Sequence, residues 1–138
     1  MTETALGLFT ILPKLRNKKV KMSALTTHIL DTSLGKPAAG VRLHLHKRVA
    51  DQQQYLSTHI TNEDGRCDAP ILSGEAFTTG IYELVFEMGD YLRQHHAGLP
   101  DPLFLDQIVI RFGISNTRDH YHVPLLVSPF GYSTYRGS

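Results

Sequence analysis

Val41-Arg42-Leu43-His44-Leu45-His46-Lys47-Arg48 alternates apolar and polar side chains. A period of two places Val41, Leu43 and Leu45 on one face of an extended strand and Arg42, His44, His46 and Arg48 on the other. One face is built for a core and the opposite face for water. The same pattern spreads outward in both directions. Leu25 to Leu30 reads as a strand, closed by a loop from Asp31 to Gly40 that holds Gly35, Pro37 and Gly40. Tyr55 to Thr61 reads as the next strand and ends at Asn62-Glu63-Asp64-Gly65, where Asp-Gly is a strong turn signal. A short strand is expected within Arg66 to Leu72. Ile81 to Glu87 follows, with Tyr82, Leu84 and Phe86 on one face.

Gly89 to Gly98 lacks the two-residue period. With Tyr91 and Leu92 facing inward and Gly98 and Pro100 as stops, it predicts one short helix. Phe104 to Ile114 returns to strand, and Asn116 to Asp119 is a turn. His120 to Ser128 alternates again, with Val123, Leu125 and Val127 on one side and His122, Pro124 and Leu126 on the other. A last strand occupies Tyr132 to Tyr135. Seven to eight short strands with one short helix predict an all-β, two-sheet antiparallel sandwich.

A chain of 138 residues has the size of a single domain. Its net charge of +1 gives no electrostatic footprint for nucleic acid. The single Cys67 closes no internal disulfide, which fits a reducing compartment. No stretch approaches the roughly 18 apolar residues of a membrane span. The longest candidate, Ala5 to Leu12, makes a poor secretory signal because Lys14, Arg16, Lys18, Lys19 and Lys21 follow it instead of preceding it. Residues 1–22 are therefore assigned to an N-terminal extension, flexible or targeting, and residues 23–138 to the domain. Dinucleotide, nucleotide-triphosphate, zincin and α/β-hydrolase signatures are absent from the sequence.

Eight histidines stand out, because imidazole is the side chain that titrates closest to neutrality. His28 and His122 each lie on the non-core side of a strand, yet beside Leu30, Pro124 and Leu126. Apolar neighbours on an outward face imply that the face is covered, here by another subunit. His44 and His46 share a strand face, but the adjacent Arg42 and Arg48 repel a cation and no further ligands stand at zinc-like spacing. A His-rich metal module would need such ligands, so no metal site is assigned. His95 and His96 are consecutive on the predicted helix and are expected at the surface. Cys67 has no visible imidazole partner and reads as an inert small residue. Arg66, just past a turn, can aim its guanidinium at an anionic or carbonyl-rich ligand.

Four stretches taken together are similar to the transthyretin-related 5-hydroxyisourate hydrolases. They are Leu25-Thr26-Thr27-His28-Ile29-Leu30-Asp31-Thr32, Thr61 to Arg66 (TNEDGR), His120 to Pro129 (HYHVPLLVSP) and Gly131 to Ser138 (GYSTYRGS). The resemblance implies a transthyretin-like sandwich assembled as a homotetramer, a dimer of dimers, with active sites in the channel between dimers. It implies hydrolysis of 5-hydroxyisourate, the product of urate oxidation, to 2-oxo-4-hydroxy-4-carboxy-5-ureidoimidazoline by opening of the ring amide, with no cofactor. It implies His28, Arg66, His122 and Ser138 as catalytic residues, and Arg66, Tyr135, Arg136 and Ser138 as substrate contacts. The expected partners are a small-molecule substrate and further copies of the chain, with neither nucleic acid nor membrane. The expected location is the cytoplasm, or the peroxisome in a eukaryote. A non-catalytic carrier of small molecules on the same fold is the alternative. It predicts the loss of both histidines and the arginine, all of which are present here.

Overall fold

The structure is a computed structural model and describes residues 23–138, so the extension assigned to residues 1–22 lies outside the described residues. In chain order these residues form β1 (Ala24–Thr26), β2 (Ile29–Asp31), β3 (Lys36–Pro37), β4 (Arg42–Val49), β5 (Gln52–Ile60) and β6 (Leu72–Ser73). They continue as β7 (Gly80–Glu87), α1 (Met88–His95), β8 (Gln107–Ile114), β9 (Tyr121–His122), β10 (Leu125–Ser128) and β11 (Gly131–Thr134).

The alternation at 41–48 becomes β4, with Leu43 and Leu45 fully buried and Arg42 exposed. It sits inside a regular antiparallel sheet of order β5-β4-β7-β8. The β7–β8 ladder runs without a shift from Gly80 opposite Ile114 to Glu87 opposite Gln107. Tyr82, Leu84 and Phe86 all point into the core, as the period predicts. Each fully buried apolar side chain of this kind stabilises the fold by roughly 1.5–3 kcal/mol.

The opposing layer is broken into two short sheets, β6-β1-β9 and β11-β10-β2-β3. Leu25, Ile29, Tyr121, Val123, Leu125 and Val127 from this layer join the side chains of the regular sheet in one core cluster. The strands expected over 25–30 and 120–128 are each interrupted, at Thr27–His28 and at Val123–Pro124. Pro124 has no N–H to continue a ladder. The Thr27 hydroxyl instead donates to the Val123 carbonyl at 2.7 Å. The N–H groups of Val123 and Leu125 donate to the carbonyls of Thr26 and His28, each at 2.9 Å. Both pairings across the break, β1 with β9 and β2 with β10, are parallel. The expected antiparallel sandwich is present, with parallel pairing at these two places. Near Arg66 to Leu72 only Leu72 and Ser73 pair, because the chain before them runs as a loop through Pro70.

Helix α1 buries Tyr91 and Leu92 as expected. His96, expected at the surface, does not lie free there. Its Nε2–H donates at 2.8 Å to the fully buried Asp31. Asp31 also accepts from the hydroxyls of Tyr91 (3.0 Å) and Ser33 (2.8 Å) and from the N–H groups of Ser33 and Leu34. Burial pushes this carboxyl up, but the hydrogen bonds from His96, Ser33, Leu34 and Tyr91 together outweigh it and hold Asp31 below the usual carboxylate range. The helix end is thereby fastened to β2, three residues beyond His28.

Candidate active site

The break in the second layer positions His28 and His122. Between β1 and β2 the chain leaves its ladder for two residues, and His28 is the second of them. Beside it runs the turn of residues 62–66. The Asn62 side-chain carbonyl accepts the N–H groups of Asp64 (2.9 Å) and Arg66 (3.2 Å), and the Asn62 N–H donates to the Arg66 carbonyl at 2.7 Å. The turn is docked by Ile29 N–H donating to the Gly65 carbonyl at 2.8 Å. Gly65 adopts φ +76°, and a Cβ there would collide with the Ile29 carbonyl oxygen. Close approach of the two backbones is what brings Arg66 next to His28.

Arg66 is exposed, and its guanidinium makes no hydrogen bond or ion pair with the described residues. Its charge bears on both imidazoles. Burial lowers the pKa of His28 below the ordinary 6.5, the Arg66 charge lowers it further, and a hydrogen bond to the Asp64 carbonyl only partly opposes them. For His122 burial is again the largest cause, followed by the charges of Arg66, His120 and His28. Two imidazoles held neutral beside a fixed cation form a site that can accept protons and hold an anion. Arg66 lines a cleft of about 260 Å³ with Thr26, Thr27, Cys67, Asp68 and Pro70. Burial and the nearby Asp68 carboxylate push the Cys67 thiol up, as suits an inert residue.

The ring of His122 is held from two sides. Its Nδ1 lies 2.9 Å from Thr26 Oγ1, which lies in turn 3.1 Å from Nε2 of His120. On the other side Gly137 donates its N–H to the His122 carbonyl at 2.7 Å, and a Cβ on Gly137 would stand 2.7 Å from His122 Cδ2. Only a glycine allows the chain end to lie this close to the imidazole.

The tetrapeptide Tyr135 to Ser138 is divided between two places. The Arg136 guanidinium stacks 4.1 Å above the Tyr121 ring and donates to the His120 carbonyl at 3.0 Å. Tyr135 is exposed and lines, with Arg136, Ile110, Phe112, Tyr121 and Val123, a second cleft of about 250 Å³. Ser138 is exposed. The Arg66 charge thus reaches both His28 and His122, and Gly137 packs on His122, while Tyr135 and Arg136 face a different cleft.

Thr26 and His120 carry no role in the sequence reading, and Gly137 enters it only as part of the tetrapeptide Tyr135 to Ser138. The signal available was the spacing His120-x-His122, which places both rings on one side of a strand. His44 and His46 share the same spacing, but His44 bonds Thr58 and Glu87 instead. Among the described residues no group of three or more His, Cys, Asp or Glu could hold a metal ion. Nor is any described helix long and apolar enough to cross a membrane.

Residues 25–137 match the HIUase/Transthyretin family. A 5-hydroxyisourate hydrolase of Pseudomonas aeruginosa is 54% identical over 117 residues, which is 85% of this chain and 93% of that protein. Among solved structures, (S)-allantoin synthase superposes with a TM-score of 0.79 at 45% identity. That match covers 85% of this chain and 44% of that longer one. Sea bream transthyretin in complex with thyroxine superposes with a TM-score of 0.74 at 27% identity, over 83% of this chain and 94% of that one. With its sandwich, its family match over nearly all the described residues and relatives of this identity, the chain belongs to the HIUase/Transthyretin family.

Proposed function

We infer that this chain is a 5-hydroxyisourate hydrolase, opening the cyclic amide of 5-hydroxyisourate to give 2-oxo-4-hydroxy-4-carboxy-5-ureidoimidazoline in urate degradation. The observation that carries it is the identity of more than half the aligned residues with a relative of that name, over most of both chains. The geometry supplies the chemistry such a reaction needs. A neutral imidazole of the pair His28 and His122 takes a proton from the attacking water, and the pair returns one to the leaving nitrogen. Arg66 binds the substrate anion and stabilises the negative charge that grows on the carbonyl oxygen. Ser138 orients water or a histidine, and Tyr135 and Arg136 close the pocket when protomers assemble. No step calls for a cofactor or metal.

The functional unit is proposed to be a homotetramer, a dimer of dimers, formed by residues 23–138 with residues 1–22 as an extension. Exposed Phe104, Phe130, Tyr132 and Tyr135 support an assembly that covers them. The proposed location is the cytoplasm, or the peroxisome in a eukaryote. The carrier reading is not supported, because His28, Arg66 and His122 are all present and identity to the thyroxine-bound relative is half that to the hydrolase.

The direct test generates hydroxyisourate from urate with urate oxidase and follows the decay of its absorbance with and without catalytic amounts of the protein. Acceleration is expected, and an unchanged decay would refute the activity. The lowered pKa of both histidines sets the sign of the pH dependence. The neutral bases persist below the ordinary imidazole value, so the acid limb of kcat/KM is expected below pH 6.5.

A further inference from the structure

Among the described residues Thr26 is the one side chain hydrogen-bonded to two imidazoles. Its hydroxyl stands 2.9 Å from Nδ1 of His122 and 3.1 Å from Nε2 of His120. The contact is set by the backbone, because the parallel register of β1 and β9 places Thr26 opposite His122. His120, two residues earlier, falls on the same side of the strand. A hydroxyl carries one proton and two lone pairs, so it can accept from one ring while donating to the other.

We propose that Thr26 and His120 form a proton relay behind His122, with Thr26 positioning the His122 ring and His120 receiving the proton that His122 takes from the attacking water. The proposal rests on the assignment of His122 to the catalytic pair. In the starting state His122 Nδ1–H donates to Thr26 Oγ1, and the Thr26 hydroxyl donates to the unprotonated Nε2 of His120. This leaves the lone pair on His122 Nε2 for the substrate side. When water gives its proton to His122 Nε2, the Nδ1 proton passes to Thr26 Oγ1 and the Thr26 proton passes to His120 Nε2. His122 ends neutral with its proton on Nε2, Thr26 is unchanged in composition, and His120 ends as the cation. The leftover hydroxide attacks the ring carbonyl.

Moving the charge away from the cleft suits the surroundings. Around His122 stand the Arg66 guanidinium, His120 and His28, whose charges each disfavour a cation on its ring, the Arg66 charge most. His120 is only partly buried and lies toward solvent, beside Asp119. The nearby Arg136 is engaged by the His120 carbonyl and lies 3.7 Å from the Asp119 carboxylate, which offsets its charge.

The test uses the full chain in the hydroxyisourate decay assay, together with ¹⁵N spectra of the imidazoles in uniformly labelled protein. The wild type should show His122 protonated on Nδ1 and free on Nε2. Thr26→Val keeps shape but loses the hydroxyl, and should lower kcat by about tenfold or more, with KM within about twofold and the His122 tautomer no longer fixed. Thr26→Ser should restore both. His120→Gln still accepts a hydrogen bond at the Nε2 position but cannot take up a proton. It should keep the His122 tautomer and still lose kcat. If Thr26→Val fails to fold, His120→Gln decides alone, since that side chain sits at the partly exposed end. Normal kcat in either variant, or a His122 protonated on Nε2 in the wild type, overturns the relay. His122→Ala separates the two levels. An active His122→Ala removes the catalytic assignment and the relay with it, whereas an inactive His122→Ala beside a fully active Thr26→Val removes the relay alone.

Discussion

The two layers of the sandwich use the same pairing chemistry to different ends. The sheet β5-β4-β7-β8 keeps an antiparallel ladder over eight consecutive pairs between β7 and β8, and its inner side chains fill the core. In the layer of β1, β2, β9 and β10, both central strands lose their ladder at the same level; His28 lies in one gap and His122 borders the other. Continuous pairing satisfies the backbone groups along the ladder. A gap frees two residues per strand, and here side-chain and crossover hydrogen bonds refill it without closing it. Both layers fill one core, but only the interrupted layer positions His28 and His122 of the proposed site.

That division can be broken by a substitution on each side. Leu84 is fully buried in the regular sheet, and Leu84→Ala is expected to cost about 2–5 kcal/mol of unfolding free energy while leaving kcat of the folded fraction unchanged. Denaturant melts and the hydroxyisourate assay on one sample measure both. A stable Leu84→Ala with impaired turnover would contradict the division.

Arg66 gives the smaller and opposite effect. Arg66→Lys keeps the charge but loses the planar fork, and should lower kcat/KM by about 10- to 100-fold, the equivalent of one charge-assisted hydrogen bond of roughly 1.5–3 kcal/mol. Because its guanidinium bonds no described residue, the denaturation midpoint should not move. Wild-type kinetics from Arg66→Lys would mean that a point charge suffices.

The regular layer was the easier to read. Val41, Leu43 and Leu45, like Tyr82, Leu84 and Phe86, announce their burial by a period that involves only near neighbours, and the structure buries all six. The gap was not legible. Leu25 to Leu30 reads as one strand because nothing local marks Thr27, whose hydroxyl bonds the carbonyl of Val123, 96 residues away in sequence. Pro124 was a visible breaker, yet the alternation on either side of it concealed the break. The role of His96 is hidden for the same reason, since its partner Asp31 is 65 residues distant. His28, Arg66 and His122 were found because short motifs carry them. Thr26 and His120, which touch His122 only through parallel pairing, had no such marker.

In the proposed mechanism His28 and His122 act as one catalytic unit, and a double-mutant cycle in kcat measures their coupling. His28→Ala and His122→Ala should each lower kcat by about 10²–10⁴-fold with the fold retained. Residues that act as a unit are strongly non-additive, so the double variant should fall little below the slower single variant. Multiplication of the two losses in the double variant would show that the histidines act independently, and would contradict the account.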